Sequence, residues 1–255
     1  MKKSANFFLL FLFPVLAFAQ NRIDAQDIIR QIDQGKTVNY QNAEVVGDLD
    51  LTQLQNKRLK KAVSSIWPGS QRNYVSTVES PLQFTNCTFR GDVLAYYAKE
   101  GENATYQADF EQAVQFVNCT FERASAFKYS RFEKEISFRG SRFGEDASFK
   151  YAEFSTSPDF GGAKFTNGAD FKYVKFPRGV DFSGATFERE AVFKYTKFSS
   201  GANFERATFA SFADFKYTEF SGPPQLSGIT FKGSEDFKYA KVDGRSFSTY
   251  LLKNR

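Results

Sequence analysis

Gly168 to Phe198 reads "GADFKYVKFPRGVDFSGATFEREAVFKYTKF". Phenylalanine falls at 171, 176, 182, 187, 193 and 198, in steps that alternate between five and six. The alternation runs unbroken from Phe110 to Phe220 and continues through Leu226, Phe231, Phe237 and Val242. Four steps make 22 residues, so the tripeptide Phe-Lys-Tyr returns at 127, 149, 171, 193, 215 and 237.

A beat of 11 residues, half of that period, also suits a right-handed coiled coil. The composition argues against helix. The chain has 32 Phe and 17 Gly in 255 residues, prolines stand at 158, 177, 223 and 224, and helix formers are sparse. Turn formers recur between the aromatic positions, as in "FGGAKF" (Phe160 to Phe165) and "FSGATF" (Phe182 to Phe187). Short extended segments joined by tight turns fit this pattern. Two residues before each Phe stands a small or β-branched residue, for example Ala163, Ala169, Ala185 or Ala213, with Val174, Thr196 and Thr218 in the same slot. In extended chain, residues two apart share a face. Both therefore point inward, and the residue between them (Asp170, Asp181, Asn203, Asp214) points out.

"GADFKYVKF", "GATFEREAVF" and "GANFERATF" resemble the pentapeptide-repeat family, whose unit is Ala, Asp or Asn, Leu or Phe, then two variable residues. The resemblance covers roughly Leu82 to Val242. It implies an all-β fold, a right-handed four-sided parallel β-helix (solenoid) in which each pentad forms one wall. The alternation of five with six departs from the family pattern and reads as one extra corner residue on two of the four walls. One coil then takes 22 residues, and each Phe-Lys-Tyr lies above the last at a strand spacing of about 4.8 Å. Phe127 to Phe237 form one interior column, Phe132 to Phe220 a second, and Phe116 to Phe204 and Phe121 to Phe231 the others.

Residues 20–37 are expected to cap the first coil. Asp24 is placed to cap a short helix, Ile28, Ile29 and Ile32 form its apolar stripe, and Gly35 stops it. Residues 38–81 form the first coil or coils with an irregular excursion, because Lys57 to Thr77 fits no pentad and reads as a loop or hairpin. Residues 82–247 form the repeat proper, with a surface loop near 98–107. Residues 248–255 form a C-terminal cap in which Tyr250, Leu251 and Leu252 close the end with an apolar turn. The first 19 residues read as a signal peptide. Lys2 and Lys3 precede an apolar run from Phe7 that ends in Ala17-Phe18-Ala19, the small-x-small pattern of a signal-peptidase site. Cleavage after Ala19 leaves a periplasmic or secreted chain, and a run this short does not comfortably span a bilayer. Without Lys2 and Lys3, 32 basic residues face 29 acidic ones, a net charge of +3. That balance is not the dense basic patch of a nucleic-acid binder.

Histidine is absent, which removes the usual general base near neutral pH and the commonest metal ligand. No nucleophile elbow, zinc-protease motif, phosphate loop or Cys-x-x-Cys occurs. No catalytic residue, metal or cofactor is expected. Asp48-Leu49-Asp50 lacks the spaced partners and Gly of a calcium loop. Asn86, Asn103 and Asn118 begin glycan-acceptor triplets, but Asn is also the turn residue of such repeats. Cys87 and Cys119 hold the same slot, two before Phe89 and Phe121. Adjacent coils would put their Cα atoms about 5 Å apart, within the disulfide range of roughly 4.4–6.8 Å. Side chains stacked in parallel are poorly aimed for bonding, so the pair reads either as a disulfide or as two buried thiols.

The remaining candidates are two outward ladders. Lys128, Lys150, Lys172, Lys194, Lys216 and Lys238 form one, and Tyr129, Tyr151, Tyr173, Tyr195, Tyr217 and Tyr239 stand beside it. The plain reading is a soluble skin, with Lys stems covering Tyr and Tyr suiting strands. The functional reading is a flat basic-aromatic strip that holds a protein's acidic surface or an anionic glycan. The readings for the whole chain follow. One is a non-enzymatic scaffold or protein-interaction module of the bacterial cell envelope. The alternative is a glycan-binding or carbohydrate-active β-helix protein using that face. Some pentapeptide-repeat relatives mimic DNA and inhibit topoisomerase through strongly acidic faces. The basic balance and the export signal argue against that role here. N-terminal sequencing of the native protein is expected to begin at Gln20, and a sequence beginning at Met1 would overturn the export reading.

Overall fold

The computed structural model describes residues 21–60, 72–99 and 101–254. The expected signal peptide and Gln20 lie outside the described residues, as does the middle of the first excursion. The repeats form strands of only two residues, such as Ala169–Asp170, Lys175–Phe176, Val180–Asp181 and Thr186–Phe187. Each pairs in parallel with the strand 22 residues on, as Phe143 with Phe165 and Phe165 with Phe187. Four stacks of such strands make a four-sided parallel β-helix. Following the chain, wall 1 carries Phe116, Phe138, Phe160, Phe182 and Phe204, and wall 2 carries Phe121 to Phe231. Wall 3 carries Phe127 to Phe237, and wall 4 carries Phe132 to Phe220.

The alternating step has a local cause. The five-residue steps turn between walls 1 and 2 and between walls 3 and 4. At Phe160-Gly161-Gly162-Ala163, the Ala163 N–H donates to the Phe160 carbonyl at 2.9 Å and Gly162 has φ +66°. These are features of a type II turn. The six-residue steps make the other two corners.

Inside, nearly every repeat Phe is fully buried. Along the columns the rings lie parallel with centroids 4.6–5.4 Å apart, as in Phe143 on Phe165 and Phe171 on Phe193, up to the last step from Phe215 to Phe237, which is tilted by 49° at 5.8 Å. Across the lumen they meet edge to face, as Phe160 meets Phe171 at 5.3 Å and 86°. Each ring thus spends its faces along the axis and its edges across it, the two favourable aromatic geometries. The inward Thr196 and Thr218 are satisfied by donating to the carbonyls of Phe171 and Phe193, both at 2.7 Å.

The near end is closed by helix α1 (Ala25–Asp33). Asp24 accepts the Gln26 N–H at 2.8 Å, Ile28, Ile29 and Ile32 are buried, and Gly35 takes φ +67°. The far end carries a helix, α2 (Phe247–Asn254), in place of the expected apolar turn. Helical spacing puts Phe247 and Leu251 on one face, where both are buried, and turns Leu252 outward at 84% exposure.

The first excursion takes the hairpin alternative, and the second is more regular than the expected loop. Arg58–Leu59 pairs antiparallel with Arg72–Val78, and Tyr96–Ala98 pairs antiparallel with part of Ala104–Phe110. The two seven-residue strands then pair in parallel, from Ala104 on Arg72 to Phe110 on Val78. Tyr96–Ala98 and residues 105–107 therefore form a hairpin where a surface loop was expected. Pairing satisfies backbone groups that a loop would leave to solvent. Together the hairpins extend wall 4 past its corner with wall 3 as a four-stranded flange.

Cys87 and Cys119 are buried thiols. Each has a backbone carbonyl 3.4 Å from its sulfur, Thr85 for Cys87 and Phe84 for Cys119. A hydrogen bond from Cys119 lowers the Cys87 thiol to about 7 against the opposing effect of burial. Cys119 is pushed up by that same bond and by burial. Asp48 and Asp50 serve as backbone acceptors, Asp48 for the Asp92 N–H at 2.9 Å and Asp50 for the Thr52 N–H at 2.9 Å. Among the described residues no group of three or more His, Cys, Asp or Glu is placed to hold a metal. No described helix is long and apolar enough to cross a membrane.

Phe171 is 0% exposed and touches rings on all sides. Replacing it by Ala is expected to cost about 3–5 kcal/mol in denaturant unfolding. A loss below about 1 kcal/mol would show that the ring contributes no core packing.

Candidate docking ridge at the lysine–tyrosine corner

The Phe-Lys-Tyr tripeptides make the corner between walls 3 and 4. In the central one, Phe171, Lys172, Tyr173 and Val174 form a turn closed by the Val174 N–H on the Phe171 carbonyl at 3.2 Å. Asp170, just before it, accepts the Lys172 N–H at 2.9 Å, and Asp214 and Asp236 do the same for Lys216 and Lys238. The corner is also bonded from coil to coil, for the Tyr173 N–H donates to the Lys194 carbonyl at 3.2 Å. The ladder is therefore held by the backbone at every level.

The tyrosines occupy the position that requires a left-handed backbone. Tyr129, Tyr151, Tyr173, Tyr195, Tyr217 and Tyr239 have φ between +59° and +64°. The equivalent position at the corner of walls 1 and 2 holds Asn86, Asn118, Gly140, Gly162, Gly184, Arg206 and Gly228. Gly and Asn are the residues such a turn favours. A non-Gly residue held there costs of order 1–3 kcal/mol. Stacking returns about 0.5–1.5 kcal/mol per ring pair. Each lysine ammonium also lies 4.9–5.6 Å from the centroid of the adjoining Tyr ring, and at exposed sites such a contact contributes about 0.5–1 kcal/mol. The terms nearly cancel, so stability alone does not account for six tyrosines at this corner.

The rings stack along the axis. Tyr151, Tyr173, Tyr195 and Tyr217 follow one another at 4.7, 4.9 and 4.8 Å with interplanar angles of 0–2°. The strip is thus a ridge of ring edges and hydroxyls. The ring faces are taken up by neighbouring rings and are not open for stacking on sugars. Among the described residues, none of the six hydroxyls has a hydrogen-bond partner.

The turn also separates the two ladders. Tyr rings look toward wall 4, where Tyr151, Tyr173, Tyr195 and Tyr217 line one side of a groove of about 520 Å³ and Lys175, Lys197 and Glu219 line the other. A neighbouring groove of about 480 Å³ continues it toward Tyr129, Arg131 and Lys60 under the flange. None of the six ladder lysines lines either groove. They lie on the wall 3 side, where the charges of Lys150, Lys172 and Lys128 act on Asp170. Burial nonetheless pushes the Asp170 carboxyl up. Lys175 and Lys197 sit one above the other in the wall 4 column. Lys60 and Gln107 come from the flange, and the alternation in "ATYQADF" was the signal for it.

Elsewhere on the coils, some cations meet carboxylates. Arg131 pairs with Glu153 at 3.2 Å, Lys164 with Glu188 at 2.7 Å, Lys197 with Glu219 at 2.9 Å, and Arg139 with Asp159 and Asp181. Among the described residues none of the six ladder lysines has a carboxylate within ion-pair distance. The carboxylates nearest to an enzyme-like cluster, Asp146, Asp170 and Glu190, line a shallow depression of about 420 Å³ on wall 3. Asp146 is committed to the Gly168 N–H at 3.0 Å and Asp170 to its turn.

Changing Tyr173 to Gly is expected to shift unfolding free energy by no more than about 1.5 kcal/mol, because relieved strain offsets lost stacking. A loss above about 3 kcal/mol in denaturant unfolding would make the ladder a stability device.

Residues 106–153, 149–197 and 171–219 match the family model for pentapeptide repeats, in 9 copies. No curated protein and no solved structure matches the chain. The matched stretches coincide with the central coils, and the same walls continue above and below them. The chain belongs to the pentapeptide-repeat family.

Proposed function

We propose that this protein is a non-enzymatic scaffold of the bacterial cell envelope that docks an anionic partner along its lysine–tyrosine corner. The observation that carries the reading is the row of six lysines stacked one coil apart, none of which has a carboxylate at ion-pair distance among the described residues. Adjacent ammonium groups one coil apart repel by up to about 1 kcal/mol per close pair in water. An anionic partner relieves that repulsion, and its attraction weakens as salt screens it. The envelope location rests on the apolar leader and its Ala17-Phe18-Ala19 end.

An anionic glycan suits the ridge better than a folded acidic protein. The ridge repeats one Lys and one Tyr per coil over six coils, and a polymer repeats likewise, whereas a globular surface matches only a few steps.

Lys150, Lys172, Lys194 and Lys216 changed together to Gln should leave the circular dichroism intact. The variant should lose retention of envelope polyanions at low salt. A correctly folded variant that keeps every interaction of the parent would reduce the ridge to a solubilising skin.

A further inference from the structure

We propose that the ligand is a straight, linear polyuronate, a sugar chain with one carboxylate per residue, lying parallel to the solenoid axis. This rests on the docking reading above and narrows it to a ligand class.

Three features select that class. The first is straightness. Successive Tyr ring centroids from Tyr151 to Tyr217 stand 4.7–4.9 Å apart, close to the spacing of about 4.8 Å between stacked strands, so each ring lies almost directly above the last. A straight chain stays on it for its whole length, and a coiled one leaves it. The second is stride. Sites recur every 4.7–5.0 Å from Tyr129 to Tyr217, close to the rise of one sugar in an extended chain. Duplex DNA presents a charge about every 1.7 Å of its axis, so most of its phosphates find no lysine on a strip of this pitch. The third is the pairing of functions. Each coil offers one ammonium without a carboxylate partner and one hydroxyl without a hydrogen-bond partner. A uronate residue supplies a carboxylate for the first and hydroxyl groups for the second. Polyphosphate supplies charge but no alcohol groups.

The grooved side reinforces the assignment. Beyond the Tyr edges, Lys175 has no ion-pair partner among the described residues, and it faces Tyr151 and Tyr173 across the groove. An extended chain that carries carboxylates on both edges meets cations on either flank of the ridge.

The test titrates the folded mature chain at low salt with β-linked mannuronate oligomers of increasing length. Short-chain polyphosphate and duplex DNA of matched total charge serve as comparators. Affinity should tighten at least about tenfold from trimer to hexamer and level off near six sugars, the span of the ridge at one strand spacing per site. Tyr173→Phe with Tyr195→Phe should weaken mannuronate binding several-fold and leave polyphosphate binding unchanged. No mannuronate binding, binding independent of length, or comparators that bind as tightly would overturn the polyuronate assignment. If the four-lysine variant still loses its envelope partner in that case, the docking reading survives without this ligand. If that variant loses nothing, both readings fall together.

Discussion

Everything in this rod depends on one coincidence of lengths. Parallel strands stack about 4.8 Å apart, and offset phenyl rings stack at nearly the same distance. Here the rings sit 4.6–5.4 Å apart along the columns as far as Phe215 and Phe220. Backbone hydrogen bonds and ring contacts therefore reach their minima together. A two-residue strand holds little by itself. It persists because the Phe beside it is gripped by rings above, below and across the lumen. Each buried ring supplies roughly 1.5–3 kcal/mol of gross burial energy. The small inward residue two positions earlier is the counterpart, for it leaves room for that ring.

The corners divide the labour differently. Between walls 1 and 2 the left-handed position is filled mainly by Gly and Asn, which adopt it readily. Between walls 3 and 4 the same backbone is imposed on Tyr at six successive levels. The turn requires that backbone but not that side chain, and strain that Gly or Asn would relieve is a reason to look for function there. The stacked rings and nearby ammonium groups offset that strain without turning it into a surplus. The corner is thus as rigid as its opposite while presenting a chemical surface that its opposite lacks.

The walls were legible because Phe marks one interior position in each, and alternating steps of five and six admit few other foldings. The capping helix was legible from Asp24, three isoleucines and Gly35. The tyrosine conformation was harder to see, since nothing in a tyrosine announces a positive φ. The clue was comparative. Eleven residues before Tyr151, Tyr173 and Tyr195 stand Gly140, Gly162 and Gly184, which occupy the same turn half a coil earlier. Reading the Tyr slot against the Gly slot would have exposed the strain and the ridge with it. The separation of Lys from Tyr was also hidden. Neighbours in sequence diverge at a turn, and the flat strip became two flanks. The joining of the two excursions into one flange was missed because its strands break the five-six beat, although the alternation of Ala104, Tyr106, Ala108 and Phe110 is clear in "ATYQADF".

The flange has a bearing on how such a chain finds its register. The later coils are nearly interchangeable. Each pairs through strands of two residues, and skipping one whole coil would oppose Phe with Phe as before. Only the seven-residue match of Arg72–Val78 with Ala104–Phe110 is long and unlike every other segment. It joins adjacent coils next to the capping helix, where emergence of the chain begins. Assembly that starts there has a unique first alignment, and each following coil can add only to the one just laid down. The N-terminal flange therefore acts as an index mark, giving an otherwise slippery ladder a defined rung from which to count.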